Sequence, residues 1–200
     1  LGFAEHNDID LIVMGTQGVS GLKKVILGSV AAKIANKTDI PVLLVPEKYK
    51  WKQPERIVFS TNFQKDDKAA LSLALALAKY YSIGVAVLHL SSAYLTAIEK
   101  QKEKDDFNTY AYHLQRKFNK YKLKFELLET TSVSDTLENL DKQIPHDILV
   151  MVRREKSFYE KAIGGSFTQT MASLAKKPML IVPEGAQPPK GVETAIEEKA

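Results

Sequence analysis

An internal repeat constrains this chain more than any other feature. Asp10-Leu11-Ile12-Val13-Met14 returns as Asp147-Ile148-Leu149-Val150-Met151, and Gly28-Ser29 returns as Gly165-Ser166. The run Pro41 to Glu47 returns as Pro178 to Glu184, and all three matches share one spacing of 137 residues without a gap. Solenoid repeats run about 20–50 residues, so a period this long points to duplicated domains. The repeated stretch reads strand, glycine-punctuated loop, helix, strand. Leu11-Ile12-Val13-Met14 and Pro41-Val42-Leu43-Leu44-Val45 are unbroken apolar runs, as expected of strands buried on both faces. Gly15 to Leu27 lies between them as a loop, and Ser29 to Asn36 as a short helix.

The later copy is preceded by elements that the earlier one lacks. Arg56 to Ser60 reads as a strand, Asp66 to Tyr81 as an alanine- and leucine-rich amphipathic helix, and Gly84 to Leu90 as a strand. Tyr94 to Tyr121 reads as one long helix, Phe125 to Leu128 as a strand and Val133 to Lys142 as a helix. Strand Asp147 to Met151, helix Ser166 to Ala175 and strand Met179 to Val182 complete the set. Strands alternating with helices predict a parallel sheet covered on both faces, doubly wound through right-handed crossovers. Two strands and one helix cannot bury both of their faces alone. Residues 1–47 are therefore expected to be the C-terminal half of a first domain, with the rest in a longer parent protein or replaced by a neighbour. Residues 48–55 read as a linker, 56–184 as a complete domain, and 185–200, rich in Pro and Glu, as a disordered tail.

Composition excludes several classes. There is no cysteine, which removes disulfides, thiolate metal sites and cysteine nucleophiles. A net charge of +4 comes without a Lys/Arg stripe interleaved with aromatics, so nucleic acid is not an expected partner. Lys117, Lys120, Lys122 and Lys124 read as a solvated helix end. No apolar run reaches the roughly 18 residues that span a membrane. His6 and His113 have no partners at metal-ligand spacing. No Ser/His/Asp order or Gly-x4-Gly-Lys-Ser/Thr motif stands out, so no nucleophilic triad or P-loop is expected.

Gly15-x2-Gly18-x9-Gly28-Ser29 follows one strand and opens a helix. With Val13-Met14-Gly15-Thr16, Gly21-Leu22, Leu27-Gly28-Ser29-Val30 and Ile40 to Pro46 around it, the motif resembles the nucleotide loop of ATP-binding universal stress proteins. The chemistry suits these residue types. Glycines permit positive φ and close approach to a phosphate, successive amides form an anion nest, and the following helix offers its positive end. The competing reading is a tight turn and a helix start. The resemblance implies a flavodoxin-like fold (adenine nucleotide alpha hydrolase-like), a doubly wound five-stranded parallel sheet of order 3-2-1-4-5, plus the partial copy. It implies ATP, with Mg2+ accompanying it, at Gly15, Gly18, Gly28, Ser29 and Val30. It further implies a cytoplasmic stress-response module and a dimer through the last strands, formed between two chains or, as a pseudo-dimer, between Pro41 to Val45 and Met179 to Val182. Residues 1–47 alone lack the family's first strand and are expected to bind ATP weakly or not at all.

The later copy departs from the pattern. Asn62 stands where the family usually has Asp, and Val152 and Glu155 stand where Gly15 and Gly18 stand in the earlier copy. Of that second, degenerate site only Asn62, Gly165 and Ser166 remain as candidates, and no cofactor is expected there. Arg153, Arg154 and Lys156 read as solvated cations, with pairing to some other anion as the alternative. His89 is expected to be packed and hydrogen-bonded within its strand, and His146-Asp147 to be structural. Two other functional classes stay open: a non-nucleotide protein-interaction module, which Asn62, Val152 and Glu155 favour, and a slow ATP hydrolase, for which no general base or metal set stands out.

Overall fold

The computed structural model describes residues 9–16, 29–63, 67–154 and 176–187. In chain order the elements are β1 (Ile12–Gly15), α1 (Ser29–Lys37), β2 (Val42–Val45), β3 (Arg56–Ser60), α2 (Asp67–Tyr81), β4 (Gly84–Ser92), α3 (Ala97–Lys117), β5 (Leu123–Thr130), α4 (Val133–Glu138), α5 (Leu140–Gln143), β6 (Ile148–Arg153) and β7 (Met179–Pro183). The helix expected over 166–175 and the tail beyond residue 187 lie outside the described residues. Two helices differ from expectation. The long one ends at Lys117, four residues before Tyr121, and starts three residues later than Tyr94, because Thr96 caps it: its hydroxyl accepts the Glu99 amide while the Glu99 carboxylate accepts the Thr96 amide. The helix expected over 133–142 is two short ones, α4 and α5, parted at Asn139.

Among the described residues the seven strands form one sheet, in the order β1-β2-β7-β6-β3-β4-β5. Numbered among themselves, β3 to β7 run 3-2-1-4-5, and every pairing among them is parallel. The sheet does not stop at five strands. β2 joins β7 antiparallel, with Leu43 opposite Leu180, Val42 opposite Ile181 and Leu44 opposite Met179. Leu43 and Leu180 are repeat-related, so a local two-fold axis runs between them. The pairing consumes the free N–H and C=O groups that either strand would present as a sheet edge.

The two faces of the sheet carry separate cores. On one, Ala31, Ala32 and Ala35 of α1 join Val133, Leu137, Leu140 and Ile144 of the α4–α5 stretch over Val42, Leu44, Val58, Met151, Met179 and Ile181. On the other, Ala70, Ala74 and Leu75 of α2 and Leu114 and Phe118 at the end of α3 pack on Ile57, Phe59, Val87, Val150 and Leu180. Each fully buried side chain of this size contributes about 1.5–3 kcal/mol. β1 is covered on one face alone: Ile12 and Met14 pack on the first core, while Val13 is 60% exposed. Its repeat partner Val150 is fully buried under the second core.

Candidate functional site

In a parallel sheet wound in both directions, ligands settle beyond the carboxyl ends of the strands, where the winding reverses. In the earlier copy this end carries Gly15, the last residue of β1, and Thr16, which is buried and donates its amide to Val45 O at 3.1 Å. β1 and β2 are parallel, so α1 runs back between them and its N-terminus, at Ser29, lies at the carboxyl end of β1. Val30, in the first turn of α1, is 65% exposed. The fold thus brings Gly15, Ser29 and Val30 to one end of the sheet, while Gly18 and Gly28 lie outside the described residues. Gly15 departs from one expectation. Among the described residues Gly185 is the glycine with positive φ, so Gly15 continues the strand in extended backbone.

The equivalent end of the later copy is crowded with its own side chains. Asn62 follows β3, and its Oδ1 is buried without a hydrogen-bond partner. Phe63 comes next, at φ 61°, its amide held by Thr61 Oγ1 at 3.0 Å. Its ring lies 4.2 Å from the His89 ring and 5.6 Å from those of Phe107 and Tyr110. His89, three residues before the end of β4, is 6% exposed. Its Nδ1 meets Thr61 O and its Nε2 meets Glu103 Oε1, each at 2.9 Å. The other oxygen of Glu103 accepts the Ser91 hydroxyl. Burial pushes the Tyr110 phenol up to about 12, against a hydrogen bond with Thr61, so Tyr110 stays protonated. His89 is therefore packed and hydrogen-bonded, as its place in an apolar strand suggested. Gly165, Ser166, Glu155 and Lys156 lie outside the described residues.

The two arginines after β6 correct the sequence reading. Neither is a solvated cation awaiting an anion. Arg153 donates from Nη1 to Ala35 O at 2.8 Å, completing the carboxyl end of α1 with a positive group. Arg154 forms an ion pair with Asp67, the first residue of α2. The second oxygen of Asp67 accepts the Thr61 hydroxyl. Thr61, Asp67 and Glu103 were not singled out from sequence, since Asp67 sits 87 residues from Arg154 in a stretch that reads as an ordinary charged helix start. His146 and Asp147 lie at the opposite end. Asp147 accepts the amides of Glu55 at 2.9 Å and Arg56 at 3.2 Å and the Lys52 ammonium at 2.7 Å, which fastens the incoming chain to the start of β3.

A cavity of about 390 Å³ also lies away from the strand carboxyl ends, lined by Ala78, Lys79, Ile83, Phe118, Lys120 and Tyr121 among others. Among the described residues no three His, Cys, Asp or Glu side chains group together as metal ligands, and no helix is long and apolar enough to cross a membrane.

Comparison with known proteins places these observations in a family. The model of the universal stress protein family matches residues 1–46 and 54–183. A universal stress protein of Methanocaldococcus jannaschii is 51% identical over 43 residues, which are 22% of this chain and 25% of that protein. One of Bacillus subtilis is 44% identical over 45 residues, 22% of this chain and 30% of that protein. These matches span about a quarter to a third of the relatives' lengths. Among solved structures, a universal stress protein of Archaeoglobus fulgidus superposes with a TM-score of 0.66 at 17% identity, covering 92% of this chain and 63% of that one. That likeness is one of fold. With the family model matched over most of its length and a doubly wound sheet in place, the chain belongs to the universal stress protein family.

Proposed function

We propose that this chain is a stress-response nucleotide-binding or signalling module of the cytoplasm, with ATP held at the earlier copy when the first domain is complete and the later copy serving as its structural partner. Residues 1–47 are the C-terminal half of the first domain, 48–55 the linker and 56–184 the complete second domain. The observation that carries the reading is the pattern Gly15-x2-Gly18-x9-Gly28-Ser29 at the carboxyl end of β1, with the N-terminus of α1 at the same end of the sheet. Amides and a helix N-terminus suit a phosphate chain, and Val30 in the first turn of α1 is exposed. Mg2+ would arrive with the nucleotide. The β2–β7 pairing supports an intrachain pseudo-dimer, since the two repeats meet across their last strands.

Calorimetry with ATP tests this on the chain and on a version in which the N-terminal half of the first domain is restored. Binding by the restored protein, abolished by Gly18→Glu, is the expected result. Absence of binding in both forms rejects the nucleotide reading. A non-nucleotide interaction module then becomes the better account, a reading that Asn62, Val152 and Glu155 favour in the later copy.

A further inference from the structure

We infer that the cavity at the carboxyl ends of α2 and α3 is a second binding site, built for a medium-chain aliphatic carboxylate, with the tail on the cavity floor and the head among Ser82, Lys79 and Lys122. The site lies where β4 and β5 begin, at the other end of the sheet from the strand carboxyl ends. Its volume of about 390 Å³ is that of a small-molecule pocket. The floor is apolar: Ala78 and Phe118 are buried, Ile83 and Tyr121 are partly buried, and burial pushes the Tyr121 phenol up. The two rings are already engaged. Lys117 lies over Phe118, 5.4 Å from the ring centroid, and Tyr121 meets Phe118 edge-on at 6.3 Å. The floor therefore offers a ligand desolvation and dispersion more than a free ring face to stack on, which suits an aliphatic body. The rim is cationic. Lys79, Lys117, Lys120 and Lys122 line the cavity, and among the described residues no acidic side chain does. Each helix end carries about half a negative charge, so three of these lysines, Lys120 aside, already leave the rim positive. Ser82 adds a third observation. α2 closes in a Schellman motif, the Ile83 amide donating to Ala78 O at 2.9 Å and the Ser82 amide to Lys79 O at 3.2 Å. Ser82 there takes φ 58°, a conformation that costs a serine more than a glycine. The residue kept at that cost brings a hydroxyl donor to the cavity wall, of the kind a carboxylate accepts.

Calorimetry on the full chain with hexanoate, octanoate and decanoate, each below its micelle-forming concentration, tests this. Every added methylene should lower Kd about fourfold. Decyltrimethylammonium, which carries a tail of the same length and the opposite charge, should not bind. Lys79→Gln/Lys122→Gln removes two exposed charges and should weaken decanoate binding about three- to tenfold. Ser82→Gly separates the site from the fold: glycine relieves the positive φ, so the melting midpoint should rise by about 2–4 °C, while decanoate affinity falls about two- to tenfold. Absence of decanoate binding overturns the inference, as does equal binding of the cation, a Kd that ignores chain length, or an affinity that either variant leaves unchanged. Association with anionic vesicles without binding of the free acid overturns it too, and would make the lysines a membrane-facing patch. None of these results depends on ATP or on the loop after β1, so this test and the ATP calorimetry fail independently.

Discussion

Asp147 does more structural work than its position before a strand suggests. Burial alone would raise its carboxyl, but the hydrogen bond from Lys52, the amides of Glu55 and Arg56 and the Lys52 charge outweigh burial and hold it below the ordinary carboxylate range. A depressed folded value means the unfolded chain binds the proton more readily. The stabilisation is thus fully present above the ordinary aspartate value of about 3.9 and is lost as pH falls below it. Asp147→Ala leaves two backbone amides without their acceptor and should cost about 2 kcal/mol. In urea unfolding the gap between wild type and variant should be largest at neutral pH and close as the acid limb is entered; a gap independent of pH would contradict it. The repeat Asp10/Asp147 was legible in the sequence, and so was a structural role for His146-Asp147. The partners were not, because Glu55 and Arg56 lie 92 and 91 residues away. Arg153 and Arg154 teach the same lesson: their charge was visible, but Ala35 and Asp67 became their partners only through the fold.

At the scale of elements, the strands were the most legible part, because most are short apolar runs bounded by turn or charged residues, although β1 is covered on one face alone and β5 carries Lys124 and Glu126 among its apolar residues. Helix ends were less so. The Thr96-x-x-Glu99 spacing is a helix-start signal, yet the aromatic and apolar residues from Tyr94 onward suggest an earlier start. Asn139 divides α4 from α5 although no Gly or Pro interrupts residues 133–142; its amide closes the end of α4 on the Asp135 and Leu137 carbonyls. α3 is a long helix with few core contacts, Phe107 and Leu114 being its buried residues, so its first turn depends on the cap. Thr96→Ala should cost about 1 kcal/mol and speed amide exchange at Glu99 and Lys100, with protection in β3 and β6 unchanged. Slowing or loss spread over the whole sheet would show that the cap has a wider role.

At the scale of the molecule, what matters is that two repeats share one sheet rather than touching as separate bodies. Leu44 is 2% exposed and faces Met179 across the antiparallel junction, within the core that α1 covers. The opposite core, under α2 and α3, draws on β2 through Leu43 alone, and that side chain is only partly buried. Leu44→Asp removes a buried leucine, at about 2–5 kcal/mol, and sets an unpaired carboxylate in its place. β2, with α1 and β1 behind it, should leave the sheet while β3 to β7 stay folded on α2 and α3. Hydrogen exchange should then show early loss of protection in Ile12–Gly15 and Val42–Val45 and retained protection in Arg56–Ser60 and Ile148–Arg153. The departure bares the outer edge of β7, a row of unpaired N–H and C=O groups. Leu180, which marks the local two-fold within the chain, then marks it between chains: the variant should dimerise in a concentration-dependent way through β7, as read by sedimentation. Simultaneous loss of protection in all seven strands, or a variant that stays monomeric with β2 detached, would mean that the junction is not the seam along which this molecule divides.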